Sequence, residues 1–582
     1  MIKSMFKLFS YSYQAHKPFF YFALAKAIFT SLGAVFSAYA ISMIIALVEN
    51  GNISSLIPTL LVVASIEIGL LLVTKVLDYY ANCSKYKLLE NIDHMIAKKV
   101  MEMPFQYLED PNYIELKRNS DMGIKSMGAI YSFVTSLLNI FSDLLTIIGL
   151  IAVIFQFDFI IVIILVVGFL IHIGLVVISL RTINKIFSDI LDINFKYDYF
   201  LETLADPHNG KDYRLYDDVY DGLASRFSGF TWGVTKSLKK IYGTSSFFAA
   251  SVSLLSYIEM GIVYALVGVK TLLSGLPISQ FTLIVSSSIR FSTSVDTLIE
   301  EAQNLIRSIQ YCSPFIELME VDNEAHKGDK KLEHIDTLEF KNVTFKYPNT
   351  DRVILDDISF KINKNEKISI VGLNGAGKTT IVKLISRLYK PTKGKILIND
   401  TPIEEYDIDS YTAALSAVYQ DFKLFNYEIK NVIKPEISDE EVYRLIEEVG
   451  IKEKIDSLDE KANSKLGKDL YEGGVELSGG QLQKIAIARS LAKKEASLLI
   501  LDEPTSALDP LAEAEIYTNF NSLAQNRMAL YISHRMASSL FCDKVLVLNG
   551  GKVEDFAPHA DLMKKNGLYC KLFQTQAKNY KE

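Results

Sequence analysis

Three short stretches of the chain combine residues that handle phosphate. The first is GLNGAGKTT, residues 372–380, in which Gly372, Gly377, Lys378 and Thr379 satisfy the G-x-x-x-x-G-K-[ST] spacing and Gly375 adds a flexible position. Glycines let the backbone curl until several N–H groups converge on phosphate oxygens, and the start of the following helix aims its positive end at the same point. Lys378 is expected to reach the β- and γ-phosphates and the Thr379 hydroxyl to help hold Mg²⁺. Asn374, Ala376 and Thr380 complete the expected nucleotide-binding loop. The second stretch is ASLLILDEPTSALD, residues 496–509. A carboxylate at the C-terminal edge of a parallel strand can hold Mg²⁺, which assigns Asp502, and the next one, Glu503, can activate a water toward the γ-phosphate. The third is LSGGQLQKIAIARSL, residues 477–491. Ser478 has the character of an N-cap, Gly479 and Gly480 let the backbone approach a ligand, and an amphipathic helix follows with Ile485, Ala488 and Leu491 on one face.

These groups need a scaffold. ISIVG before the phosphate loop is a β-branched strand, LEFKNVTFKYP (338–348) alternates like a half-buried strand, and ASLLIL is a continuous apolar run of the kind buried on both sheet faces. The expected fold of this part is an α/β P-loop ATPase. One chain with one phosphate loop has no evident need for a second anion-receiving helix end at Ser478. Two copies resolve this if each nucleotide lies between the loop of one and the LSGGQ of the other.

Composition sets the rest apart. The chain has 582 residues, of which 49% are hydrophobic, with a mean hydropathy of +0.19. Apolar residues gather before residue 300 into candidate spans at 21–47, 55–74, 129–155, 158–180, 246–269 and 278–296, each near or above the ~20 residues that cross a bilayer. The last span is rich in serine and carries Arg290, so it must face helices or a wet cavity. The connections at 79–128 and 181–243 hold many Lys and Arg, while VENGNIS and the turn at Asp158 hold none. Basic connections stay cytoplasmic, which places both termini and the ATPase inside and pairs the spans as three hairpins of a multi-pass cell-membrane protein. The first span is too long, and too poor in a small-residue cleavage site, to be a secretory signal. Cys83, Cys312, Cys542 and Cys570 all fall on the reducing side. A net charge of −7 without a basic aromatic stripe argues against nucleic acid. The polar run 321–336 divides a 1–320 transmembrane domain from a 337–582 nucleotide-binding domain.

With LSGGQ set between the phosphate loop and LLILDEP, the chain resembles an ATP-binding cassette (ABC) half-transporter of the exporter-type fold, six membrane helices preceding one cassette. The likeness is strongest to bacterial exporters of peptides or amphipathic small molecules. It implies that Tyr347 stacks on adenine and that Gln420 senses Mg²⁺ and contacts the membrane domain. By the same resemblance Ser478, Gly479, Gly480 and Gln481 meet the opposite nucleotide, Glu503 is the catalytic glutamate, and His534 contacts the γ-phosphate. Ser506 and Asp509 fall in the loop that crosses the dimer interface. YLEDPNYIEL (107–116) and ADPHNGKDYRLY (205–216) fall where that fold has coupling helices. The implied cofactors are ATP and Mg²⁺. The implied partners are the bilayer, a second copy of the chain or a related half-transporter, and a transported small molecule or peptide. Export by alternating access is the expected function; import through the same architecture, or a ligand-sensing membrane ATPase, would use the same ATP chemistry. Within the spans, Glu67, Glu259 and Arg290 are candidate cargo-cavity residues, with a carboxylate paired to Arg290 or Lys26 as the structural alternative. Glu259 leads because Ser253, Ser256 and Tyr257 surround it in sequence.

Overall fold

The computed structural model describes residues 2–323, 328–505, 524, 526–533 and 535–578. It falls into two compact units, Met1–Glu102 with Pro111–Val321, and Met103–Asp110 with Asp322–Glu582.

The first unit is helical. Its long members are α2 (Lys17–Glu49), α3 (Leu56–Glu102), α6 (Ala129–Phe155), α7 (Phe159–Ala205), α9 (Asp217–Ser274) and α10 (Ile278–Tyr311), with shorter α1 (Ile2–Ala15), α5 (Pro111–Asp121), α8 (Gly210–Leu215) and α11 (Ser313–Glu320). The helix α4 (Phe105–Leu108) belongs to the second unit. Among the described residues, five helices are long and apolar enough to cross a membrane: α2, α3, α6, α7 and α9. The sixth expected span, 278–296, is a helix, yet its serines and charges leave it outside that set. Several helices run far beyond their apolar stretches. α3 continues to Glu102 where 55–74 is expected, and α9 starts at Asp217 where 246–269 is expected. Hydropathy marks where lipid would end, whereas backbone hydrogen bonding and i,i+4 pairs such as Lys98–Glu102 let a helix continue into water.

Polar side chains tie this bundle together. Glu49, at the end of α2, accepts the Ile278 and Ser279 amides at 2.9 and 3.2 Å and so caps α10, whose own N-cap is Pro277 and has no side-chain acceptor. Asp158 accepts the Ile160 amide at 2.9 Å at the start of α7 and pairs with Lys270. Ser136 and Asn139 on α6 donate to Glu301 on α10 at 2.6 and 2.7 Å.

The second unit contains two sheets. One is four-stranded in the order β2-β1-β4-β5, formed by β1 (Thr337–Lys346), β2 (Val353–Asn363), β4 (Lys393–Ile398) and β5 (Thr401–Pro402). The other has the order β10-β9-β3-β8-β7-β6, with β3 (Lys367–Gly372), β6 (Leu415–Val418), β7 (Leu498–Asp502), β8 (Met528–Ile532), β9 (Lys544–Asn549) and β10 (Lys552–Ala557). Its middle strands pair in parallel, and every residue of β7 and β8 is buried, as covering helices on both faces require. The helices are α12 (Lys378–Ile385), α13 (Ile408–Ala413), α14 (Ile429–Ile433), α15 (Asp439–Glu448), α16 (Lys452–Asp456), α17 (Gly479–Leu491), α18 (His559–Lys564) and α19 (Leu568–Lys578).

Two expected boundaries move. Leu332 and Ile335 are buried in the core of the α/β unit, so the later part of the polar run 321–336 belongs to that unit. The segment 107–116 is not one element. Pro111 opens α5, while Met103–Asp110 groups with the α/β unit. Proline fits a first helical position and restricts the residue before it, which separates the two halves. Phe105 stacks edge-on against Tyr389 (5.9 Å between centroids), Glu109 accepts from Lys383 at 2.6 Å and from the Tyr389 hydroxyl, and Asn349 donates to Asp110 at 2.9 Å.

Candidate functional site

β3 runs directly into the phosphate loop and α12. Gly377 is the N-cap of α12 at φ +98°, a backbone region costly for residues with a side chain, and a Cβ there would lie 2.5 Å from Leu355 Cδ2. A Cβ at Gly372 would lie 2.4 Å from the Leu548 carbonyl oxygen. Both positions exclude a side chain. Lys378 is buried, and its Nζ donates to the Gly372 and Leu373 carbonyls at 2.9 and 3.3 Å. Burial lowers its pKa, while Glu503 and Asp502 act in the opposite direction.

Asp502 ends β7 with 1% exposure, and neither carboxylate oxygen has a hydrogen-bond partner. Burial pushes its pKa up to about 6, reinforced by Glu503 and Asp421 and opposed by the nearby Thr379 hydroxyl and Lys378. An orphaned buried carboxylate beside a hydroxyl is a hard-oxygen donor set suited to Mg²⁺. Among the described residues no three His, Cys, Asp or Glu side chains cluster as a metal cage. Glu503 sits at φ +50°, unusual for a non-glycine residue, with its amide on the Ile532 carbonyl at 2.9 Å. Gln420 Nε2 donates to Glu503 Oε2 at 3.1 Å. Lys378, Thr379, Gln420, Asp502 and Glu503 are therefore brought into one group.

Tyr347 packs edge-on against Phe345 and Tyr389, and its hydroxyl lies 3.1 Å from Thr380 Oγ1. Asn374 and Gly375 are exposed on the loop, and Ala376 is buried beneath it. At α17 the capping box forms: Ser478 Oγ accepts the Gln481 amide at 3.3 Å, and Gln481 Oε1 accepts the Ser478 amide at 2.9 Å. Ser478 and Gly479 remain exposed. The amphipathic reading of α17 needs correction, because Gln483 and Lys484 are buried with Ile485 and Ala488. Lys484 Nζ donates to the Gly450 carbonyl at 2.8 Å. Gln483 Nε2 donates to the Glu503 carbonyl at 3.0 Å, linking the LSGGQ helix to the turn that carries Glu503. Sequence reasoning missed Gln483; a polar residue on a helix in contact with buried strands was the available signal. His534, Ser506 and Asp509 lie outside the described residues.

The three intramembrane charges have different neighbours. Glu67 is exposed on α3. Arg290 on α10 donates to Ser37 Oγ on α2 at 2.7 Å, and Lys26 pairs with Asp78, so neither forms the carboxylate pair weighed for Glu67 or Glu259. Glu259 is 5% exposed and sits against Gly168 of α7, where a Cβ would lie 2.5 Å from its carboxylate.

An α/β P-loop unit joined to long apolar helices defines a membrane ATPase. Residues 355–506 match the family model described as ABC transporter. The chain is 27% identical over 531 residues to the subtilin transport ATP-binding protein SpaT of Bacillus subtilis, covering 87% of this chain and 83% of that protein. It is 30% identical over 375 residues to an ATP-dependent lipid A-core flippase of Paraburkholderia xenovorans (63% and 60% covered). It is 31% identical over 308 residues to the nisin transport ATP-binding protein NisT of Lactococcus lactis (51% of each covered). The solved structure of a bacterial Atm1-family ABC exporter with ATP bound superposes with a TM-score of 0.83 at 20% identity, covering 95% of this chain and 98% of that one. The chain thus carries the nucleotide-binding cassette of the ABC transporters within a half-transporter of the exporter-type fold. It is a membrane ATPase whose hydrolysis is coupled to transport.

Proposed function

We propose that two copies of this chain form an exporter for a peptide or amphipathic small molecule, each ATP being held between the phosphate loop of one copy and the Ser478 end of the other. The observation that carries this is the grouping of Lys378, Thr379, Asp502, Glu503 and Gln420, with a hydrogen bond from Gln420 to Glu503 and an orphaned carboxylate at Asp502. In this reading the loop amides and Lys378 bind the phosphates, and Thr379, Asp502 and Gln420 hold Mg²⁺. When bound, Mg²⁺ neutralises charge building on the phosphate oxygens. Glu503 orients and deprotonates the attacking water, and Tyr347 stacks on the base. Thr380 supports Tyr347, and His534 contacts the γ-phosphate.

The exposed Ser478–Gly479 end gains its phosphate contact only when the second copy closes, and that difference in affinity is what can shift a conformational equilibrium. Coupling segments at 103–110 and 205–216 would pass closure to the helices as an inward-to-outward switch. Similarity to bacterial exporters supports outward transport in a cell membrane, with cassette and termini cytoplasmic. The test is Glu503→Gln, which keeps shape and removes the base. It is expected to bind Mg-ATP with near-normal affinity and release phosphate at least about a hundredfold more slowly. Near-normal turnover would refute the general-base role.

A further inference from the structure

Interior stretches of α7, α9 and α10 line a cavity of about 400 Å³. Ser179, Phe248 and Asp296 in its lining fall at the limits of the stretches 158–180, 246–269 and 278–296, the depth of a membrane boundary. Leu175, Val176 and Phe248 make an apolar wall, opposite the polar row of Asp296, Glu300 and Gln303 on α10.

Several features mark this as a built site. Ser179 is 1% exposed and lines the cavity, yet its Oγ has no hydrogen-bond partner. Asp296 Oδ1 accepts from Ser256 Oγ at 3.2 Å, and Ser256 Oγ lies 3.1 Å from His172 Nε2. His172 Nδ1 donates to the Gly168 carbonyl at 2.8 Å. Deeper still, Glu259 is buried with Oε1 unpartnered and close enough to Asp296 for the two charges to repel. That carboxylate packs directly against the α7 backbone, where a Cβ at Gly168 would lie 2.5 Å from it. Among the described residues lining the cavity, Arg307 is the only base, and its Nη2 is engaged by Asn304 Oδ1 at 2.6 Å. Asp296 and Glu300 therefore set a negative field that Arg307 only partly offsets. Glu259 lies within its apolar stretch, where an ionisable group is costly and is retained where a ligand or pathway uses it.

We propose that this cavity binds the positively charged group of an amphipathic organic cation, with Asp296 and Glu300 holding the charge and Phe248, Leu175 and Val176 covering the apolar part. The proposal rests on the transport reading above and names the cargo chemistry it implies.

Two probes of the same shape and opposite charge test it: tetraphenylphosphonium and tetraphenylborate. Saturable binding is measured by equilibrium dialysis on the full chain in phosphatidylcholine nanodiscs, with empty nanodiscs subtracted, and Mg-ATPase is measured on the same samples. The expected result is a preference for the cation of about tenfold or more, lowered about tenfold by Asp296→Asn and unchanged by Glu67→Gln, with basal ATPase retained in both. Ser179→Leu, which fills the cavity and leaves every charge in place, is expected to abolish cation binding, and so tests the site should Asp296→Asn fail to fold. Equal binding of the two probes, or cation affinity unmoved by both cavity variants, overturns the proposal while leaving the ATPase reading intact. Wild-type protein without any ATPase that Lys378→Ala removes overturns the transport reading, and the cargo assignment with it.

Discussion

Replacing Asp502 by Asn is expected to strengthen the nucleotide-free cassette while abolishing its chemistry. The carboxylate is buried, unpartnered and shifted from 3.8 to about 6, chiefly by desolvation. That rise corresponds to about 3 kcal/mol. The sign follows from proton binding. Between pH 4 and 6 the folded state holds a proton that the unfolded state has lost, so the native fold becomes less stable as pH rises through that window. The whole penalty is present above about pH 6 and absent below about pH 4. Asn carries no charge and escapes it. For a domain of this size about 3 kcal/mol is a rise of roughly 6–12 °C in the unfolding midpoint. Calorimetry of the cassette transition, with the full chain in nanodiscs and without nucleotide, should therefore show Asp502→Asn melting higher than wild type at pH 8 and nearly equal to it at pH 4. Adding Mg-ATP should reverse the order, because a neutral amide at this position holds the ion far more weakly than the carboxylate does. A variant less stable than wild type at pH 8, or a difference that ignores pH, would refute the reasoning.

Other outcomes follow from single contacts. Gly377→Ala places a Cβ against Leu355 at a positive φ, and ATP affinity measured by fluorescent-nucleotide displacement should fall at least about tenfold. Gln483→Leu leaves the Glu503 carbonyl without its side-chain donor; steady-state kinetics should show kcat reduced roughly tenfold with KM for ATP little changed, and a fall in KM-limited binding alone would contradict the positioning role. Phe105→Ala removes the ring packed on Tyr389, so hydrogen exchange should quicken in Met103–Asp110 while β3 and β7 stay protected. Unchanged exchange in that segment would show that the ring does not anchor it.

What could be read in the sequence was local chemistry. The phosphate loop, the apolar strand ending in Asp502-Glu503 and the Ser478 cap each announce themselves within a dozen residues, and each stands in the expected element. What could not be read depends on residues distant in sequence. Glu503 takes a positive φ with its amide on the Ile532 carbonyl, a partner distant in sequence that the letters Asp-Glu-Pro do not announce. Gln483 becomes important only because α17 packs against the sheet beside that turn. Pro111 was visible, but its division of 107–116 between two units depends on the aromatic contacts of Phe105. In the membrane unit, hydropathy located apolar stretches but could not choose partners. Arg290 found a serine, Lys26 found Asp78, and Glu259 found the space beside Gly168.

The composite ATP site is the central claim, and complementation between two inactive chains tests it most directly. Lys378→Ala removes the phosphate-reaching amine. Gly479→Asp puts an acid at the first turn of α17, a place where it favours the helix yet repels a phosphate. Each variant alone should lack ATPase. If each nucleotide lies between Lys378 of one copy and Gly479 of the other, mixed dimers gather both defects in one site and leave the second intact, so co-assembling the two chains should restore about a quarter of wild-type turnover for independent sites. If the two residues served a single site within one chain, both sites of a mixed dimer would stay defective, and a mixture no more active than either variant alone would contradict the account.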